Sequence, residues 1–215
     1  MGANGSGKST AALCMNGTLV PDRGEVRIDG MSTKDRSKLL DIRCRVGLVF
    51  QDPNLQFISM TVERELAFGL ENLGVPRGEM HARVQEQLRV FDLKRHKNRV
   101  PSSLSGGEKQ RLAIAAVMIL QPKYLILDET TSLLSPASRQ DILKVARELP
   151  ALHGNGVILI TQFPHEALLA ERLVILHKGS VMYDDTPEAV FRHARELISF
   201  GIPVPLTSTL VLNED

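Results

Sequence analysis

The second to ninth residues restrict this chain more than anything that follows them. Gly2-Ala3-Asn4-Gly5-Ser6-Gly7-Lys8-Ser9 has the spacing G-x-x-x-x-G-K-[ST], a loop that wraps backbone N–H groups around a phosphate. Glycine suits the curled positions because a Cβ would obstruct both the turn and the anion. Lys8 brings a point charge to the β- and γ-phosphates, and the Ser9 hydroxyl can ligate Mg²⁺. Asn4, Gly5, Gly7 and Thr10 complete the expected nucleotide cradle. Thr10-Ala11-Ala12-Leu13 opens a helix whose N-terminal dipole faces the anion. A flexible Gly/Ser-rich terminus would share the glycines but has no need of Gly7-Lys8-Ser9. The myristoylation pattern M-G-x-x-x-[ST] also fits Met1–Ser6 and is the more degenerate match. A phosphate loop normally leaves a buried strand, and only Met1 precedes Gly2. The expectation is a chain that lacks its N-terminal strands before this loop, exposes a central sheet edge and is poorly soluble alone.

Composition fits a compact α/β protein. A length of 215 residues suits one domain with an inserted lobe. Lys plus Arg total 26 against 25 Asp plus Glu, a net charge of +1 that speaks against bulk nucleic acid as a partner. Hydrophobic residues make up 43% and charged residues 24%, which excludes a disordered or fibrous chain. The longest apolar run, Leu112–Leu120, falls well short of the ~20 residues a membrane-spanning helix needs. Nothing after Met1 reads as a signal peptide, and Cys14 and Cys44 have neither metal-ligand nor disulfide spacing. Glu25–Gly30 alternates charged and apolar residues and ends on a turn signal, as a half-exposed strand does, and Val46–Phe50 suits a buried one. Helical spacing begins at Thr61 and breaks at Gly74 and Pro76, resumes from Arg77 or Gly78 to Val90, and returns over Leu104–Leu120. Tyr124–Leu127, Val157–Ile160 and Leu173–Leu176 have strand length, and Lys178-Gly179-Ser180 turns into a closing hairpin strand, Val181–Tyr183. Strands alternating with helices predict a mostly parallel sheet.

Two further segments carry chemistry. Tyr124–Leu127 is an apolar strand that ends in Asp128 and Glu129. Beside the phosphate loop, Asp128 can hold Mg²⁺ through water, and Glu129 can orient or deprotonate an attacking water. A strand leaving for a solvated loop can also end in two acids, so this run alone leaves both readings open. Leu104-Ser105-Gly106-Gly107-Glu108-Lys109-Gln110-Arg111 places N–H groups and a hydroxyl at a helix start, an anion site without a lysine. Ser105 and Glu108 also satisfy a capping box, and the two uses are compatible. Lying between a Walker A and a Walker B segment, this stretch resembles the signature of ABC-type ATPases. The resemblance implies a P-loop NTPase fold, with a RecA-like core over residues 1–50 and 122–215 and a helical subdomain over 51–121.

Other positions take roles by the same resemblance. Gln51 matches the Q-loop glutamine, which touches Mg²⁺ and water and relays to a membrane partner. Gln162 stands where the family carries its switch histidine, and Ser135 where the D-loop carries aspartate. These departures open the alternative of a catalytically degenerate, mainly regulatory subunit. His165 reads as a helix-start residue rather than a displaced switch. Val49–Phe57, Thr61-Val62-Glu63 and Ala67–Pro76 are similar to the ATPase subunits of energy-coupling factor (ECF) importers, including the cobalt and nickel types. That similarity implies ATP and Mg²⁺ as cofactors and a second ATPase subunit paired head to tail, whose ATP is met by Ser105, Gly106 and Gly107. It further implies a membrane coupling subunit, a substrate-binding membrane subunit, a peripheral place on the cytoplasmic membrane face, and uptake of a vitamin or transition-metal ion. Soluble ABC ATPases of translation or DNA repair usually carry tandem cassettes or a coiled-coil insertion, which 215 residues do not allow. The family stacks adenine on an aromatic residue upstream of the Walker A. Here the tyrosines are Tyr124 and Tyr183 and Trp is absent, which leaves adenine recognition incomplete.

Overall fold

The computed structural model describes residues 1–206. Its centre is a three-stranded parallel sheet in the order β3-β4-β5. The elements leading to it are α1 (Lys8–Met15), a short pair β1 (Arg27–Ile28) and β2 (Met31–Ser32), α2 (Leu39–Arg45) and β3 (Val46–Val49). Three helices follow, α3 (Val62–Asn72), α4 (Arg77–Val90) and α5 (Gly106–Met118), before β4 (Tyr124–Asp128). After it come α6 (Pro136–His153), β5 (Gly156–Ile160), α7 (Pro164–Ala167), β6 (Leu173–His177), β7 (Ser180–Asp185), α8 (Pro187–Phe191) and α9 (Ala194–Ser199).

Parallel pairing follows from the helical crossovers between consecutive strands of the sheet. Val46 pairs with Tyr124 and Val49 with Leu127, while Asp128 pairs with Ile160. This register brings the carboxyl ends of all three strands to one edge. Gln51, Asp128 with Glu129, and Gln162 each follow closely on one of those ends. The central strand is apolar along its length because both faces are covered. Leu125 and Leu127 face the larger core, built with Leu66, Leu70, Leu88, Leu112, Ile114 and Ile142 from the flanking helices. Ile126, at the opposite phase of the pleat, joins Ala12 of α1 with Val46, Leu48 and Ile160. A third cluster packs the β6–β7 hairpin against α8 and α9 through Leu173, Ile175, Val190, Phe191 and Leu197.

β5 stands at an edge of the three-stranded sheet, and no described strand joins it to the β6–β7 hairpin. The Met1 main chain makes a single parallel bridge to that hairpin: its nitrogen donates to Val174 O at 2.7 Å, and its carbonyl accepts from Leu176 N at 2.8 Å.

The strand expected over Glu25–Gly30 is shorter than its alternation suggests. Asp29 and Gly30 both take positive φ, 47° and 82°, which turns β1 back onto β2 after two residues. The freed Asp29 carboxylate accepts from Lys123 Nζ, Tyr124 OH and Arg45 Nη1, each at 2.8 Å, and so pins the small hairpin beside β4. Lys123 above all, with Tyr124 and Arg45, holds its pKa down at about 2.

Leu66 is fully buried in the larger core, whereas Leu55 is 77% exposed. Leu66→Ala is expected to destabilise the chain by about 2–5 kcal/mol, as other buried Leu→Ala changes do, and Leu55→Ala by less than about 0.5 kcal/mol. Denaturant titration of the two variants checks this; equal losses would place the core elsewhere.

Candidate active site

The phosphate loop is pressed between β6 and the first turn of α1. A Cβ on Gly2 would lie 2.3 Å from the carbonyl oxygen of Leu176 and 2.6 Å from Ser6 Oγ, so only glycine passes there. Gly7, at φ 102°, caps α1 with no side chain, which leaves the N–H groups of its first turn facing outward. Lys8, only 6% exposed, turns its ammonium back onto the loop. Nζ donates to Gly2 O at 3.0 Å and Ala3 O at 3.1 Å, and lies 3.4 Å from Glu129 Oε1.

Glu129 is the meeting point of the strand ends. It takes a left-handed φ of 48°, a strained state for a residue with a side chain. Its amide still extends the ladder by donating to Ile160 O at 3.0 Å. With one carboxylate oxygen near Lys8, the other accepts from Gln162 Nε2 at 2.8 Å. Gln51 arrives by a longer route: its Nε2 donates to Ser132 Oγ at 3.1 Å, and that hydroxyl donates to Glu129 O at 2.8 Å. Glu129, Ser132 and Gln162, together with Thr131, Thr161 and Phe163, line a cavity of about 110 Å³.

Asp128 is the natural test for Mg²⁺. Its Oδ1 is buried with no hydrogen-bond partner. Burial above all pushes its carboxyl upward, with Glu129 adding to the rise and the Ser9 hydroxyl and Lys8 opposing it. An unsatisfied buried carboxylate oxygen close to a serine hydroxyl is a hard-oxygen donor set of the kind Mg²⁺ takes. The residues present fit the ion.

Ser105, Gly106 and Gly107 stand apart from this group. Ser105 caps α5 in a capping box: its Oγ accepts from Glu108 N at 3.4 Å, and Glu108 Oε2 accepts from Ser105 N at 2.9 Å. That Ser105 N–H contact is the main reason the Glu108 carboxyl is held low. A Cβ on Gly107 would come within 2.8 Å of Ser138 Oγ, so the start of α5 packs closely on the first turn of α6. Ser135 caps α6, accepting from Ser138 N at 3.3 Å. Among the described residues, no hydrogen bond or ion pair joins Ser105–Gly107 to the Lys8–Glu129 group. His165 lies in the first turn of α7, its ring 5.6 Å from that of Phe163. Motif reading passes over Ser132, Thr131, Thr161 and Glu166; the one signal for the last is an acid heading the apolar stretch Ala167-Leu168-Leu169-Ala170.

Comparison with known proteins agrees with this geometry. The family model described as ABC transporter matches residues 1–132, more than half of the chain. The chain belongs to the ABC transporter family. Within it, the chain is 45% identical over 210 residues to the energy-coupling factor transporter ATP-binding protein EcfA1 of Lacticaseibacillus paracasei, covering 98% of this chain and 75% of that protein. EcfA of Syntrophomonas wolfei, named in the same way, is 42% identical over 214 residues, covering 100% of this chain and 78% of its own. Among solved structures, cbiO1 of Clostridium perfringens, described as part of the ABC transporter complex cbiONQ, superposes with a TM-score of 0.83 at 31% identity, covering 98% of this chain and 85% of that one. The P-loop NTPase fold, the ATPase class and the resemblance to ECF ATPases all stand on these matches.

In this ABC ATPase the Asp128 carboxyl carries a pH signature. A folded-state pKa raised above 3.8 means that the folded chain holds this proton more tightly than the unfolded chain. Stability from this group is therefore complete below 3.8 and is lost as pH rises through the folded value. Asp128→Asn removes that slope. Thermal melts without nucleotide or metal should show the variant gaining on wild type as pH rises from about 3.8; a constant difference in Tm would mean the carboxyl is not perturbed.

Proposed function

We propose that this chain hydrolyses ATP as one of two ATPase subunits of an ECF-type importer that takes up a vitamin or a transition-metal ion. The observation that carries the reading is Glu129, held between the Lys8 ammonium and the Gln162 amide at the carboxyl ends of β4 and β5. Lys8 exchanges its loop carbonyls for the β- and γ-phosphates. Ser9, Asp128 and Gln51 would hold Mg²⁺, which would neutralise charge on the phosphates. Glu129 orients the attacking water and takes its proton. Gln162 donates its amide to the γ-phosphate, a role that needs no change of protonation. Asn4, Gly5, Gly7 and Thr10 cradle the phosphates, and Gln51 senses the site through Ser132 and Glu129.

Ser105, Gly106 and Gly107 serve ATP held by the second, head-to-tail subunit; their separation from Lys8 within one chain favours this division. Residues 51–121 act as the helical lobe on a core of 1–50 and 122–215. The membrane coupling subunit docks beside Gln51, where Leu55, Ile58 and Met60 are 77%, 66% and 70% exposed. Their loop is braced by the buried Glu65 carboxylate, which accepts from Ile58 N and Ser59 N. No helix among the described residues is long and apolar enough to cross a membrane, in keeping with a peripheral place on its cytoplasmic face below a substrate-binding membrane subunit. Ser135 and Gln162 favour a second reading, a slow and mainly regulatory subunit.

Steady-state ATPase and nucleotide-binding assays on the assembled complex test the reading. Glu129→Gln should preserve ATP binding and lower turnover by ~10²-fold or more; unchanged turnover would remove Glu129 from the chemistry. Ser105→Arg should stop hydrolysis while this chain's own loop still binds ATP. Loss of that binding would contradict the two-chain site.

Gln162 separates the active reading from the regulatory one. A retained donor with altered geometry costs about 10-fold against histidine, whereas a lost donor costs ~10²–10³. Gln162→His should therefore raise turnover and Gln162→Ala nearly abolish it, with no inflection near pH 6.5 in the wild type. A Gln162→Ala variant as fast as wild type would favour the regulatory subunit.

A further inference from the structure

Glu166 belongs to none of the motifs, yet it is the most deeply buried carboxylate near the site, with no exposed surface. An ionised group there is tolerated only if its oxygens are met. They are met one each: Thr131 Oγ1 donates to Oε1 at 2.7 Å, and Thr161 Oγ1 donates to Oε2 at 2.5 Å. Arg139 of α6 supplies the counter-charge, its Nε 3.8 Å from Oε1 and its guanidinium 3.9 Å over the ring of Phe163. Thr161 Oγ1 also accepts from Phe163 N at 3.0 Å, which fixes the turn on which Gln162 sits.

The two threonines are placed tellingly. Thr131 lies two residues beyond Glu129, and Thr161 immediately precedes Gln162. Because Gln162 Nε2 itself reaches Glu129, the contacts close a ring that runs Glu129, Thr130, Thr131, Glu166, Thr161, Gln162 and back to Glu129. We infer that Glu166 is a positioning residue that holds the Gln162 amide on Glu129 by tying the loop after β4 to the loop after β5. The inference rests on the roles proposed above for Glu129 and Gln162. Its physical content is distance: two loops leave adjacent strands, and a shift of about 1 Å between their functional groups can cost on the order of 10²-fold in rate. A carboxylate accepts from both hydroxyls at once. A glutamine in its place accepts from one and turns an N–H₂ donor toward the other.

ATP turnover and ATP-binding stoichiometry of the assembled complex decide the matter, using Glu166→Gln, Thr161→Val, Gln162→Ala and the Glu166→Gln/Gln162→Ala double variant. Glu166→Gln and Thr161→Val should each lower kcat about 10-fold while KM for ATP and the number of binding sites stay within about 2-fold. In the Gln162→Ala background, Glu166→Gln should cost less than about 2-fold, because residues acting as one unit are not additive. A merely structural Glu166 would lower kcat and binding sites together. Wild-type kcat per binding site in Glu166→Gln, or an equal cost with and without Gln162, overturns the inference. If Gln162→Ala alone matches wild type, the role of Gln162 fails and this inference with it, an outcome told apart because no change at position 166 is involved. If Glu166→Gln binds no nucleotide, Thr161→Val, which keeps the Thr131 contact, decides by the same two readouts.

Discussion

A buried ammonium organises this molecule. Lys8 is almost withdrawn from water, and a cation in that position is stable only where oxygens are arranged around it. Two of them are carbonyls of its own loop and the third belongs to Glu129. Glu129 can be there because β4 is held in parallel register between β3 and β5, and because the chain accepts a left-handed turn at that residue as it leaves the strand. The apolar phase of β4, the crossover helices and the tight glycine at position 2 all serve the same end, which is to bring a carboxylate and a glycine-rich loop to one lysine.

This arrangement bears on how nucleotide is received. A lysine already provided with three oxygens gives up contacts when a phosphate arrives, so binding there is an exchange and only the difference counts toward affinity. Asp128 is the opposite case. One of its oxygens is buried without a partner, so Mg²⁺ held there, as proposed above, would relieve a penalty already present in the folded chain. In the proposed site, loop and carboxylate would thus contribute to binding by different routes, one by substitution and one by relief.

Much of the fold was legible in the sequence because its signals are local. The helix over Arg77–Val90 and the strands from Tyr124 and Leu173 follow from periodicity and composition, and the capping box at Ser105 follows from a serine and a glutamate three residues apart. The segment Glu25–Gly30 turns at Asp29-Gly30, where the sequence signals it, but the strand itself is shorter than its alternation suggests, because only Arg27 and Ile28 pair with β2. The site was legible only as a list of residues. That Gln51 reaches Ser132, 81 positions away, or that Thr131 and Thr161 share one carboxylate, depends on strand register and on no local pattern. Glu166 was invisible for the same reason: its meaning lies in two threonines that sequence keeps 35 and 5 residues from it.

The Ser105 hydroxyl has a consequence for which residues the start of α5 can tolerate. Its oxygen accepts from Glu108 N while its proton is shared with the Glu108 carboxylate, so the side chain is engaged with its own helix. Asparagine and aspartate cap helices as well as serine does, but aspartate would turn a negative charge toward any phosphate approaching that end. Asparagine would spend its oxygen on the helix and set a bulkier amide in the gap beside Gly106 and Gly107. Alanine would leave room and lose the cap, at a cost of about 1 kcal/mol. A small side chain that caps the helix without adding charge or bulk is a hydroxyl, so capping and the ATP-facing role proposed for this helix start together admit a narrower set of residues at position 105 than either would alone.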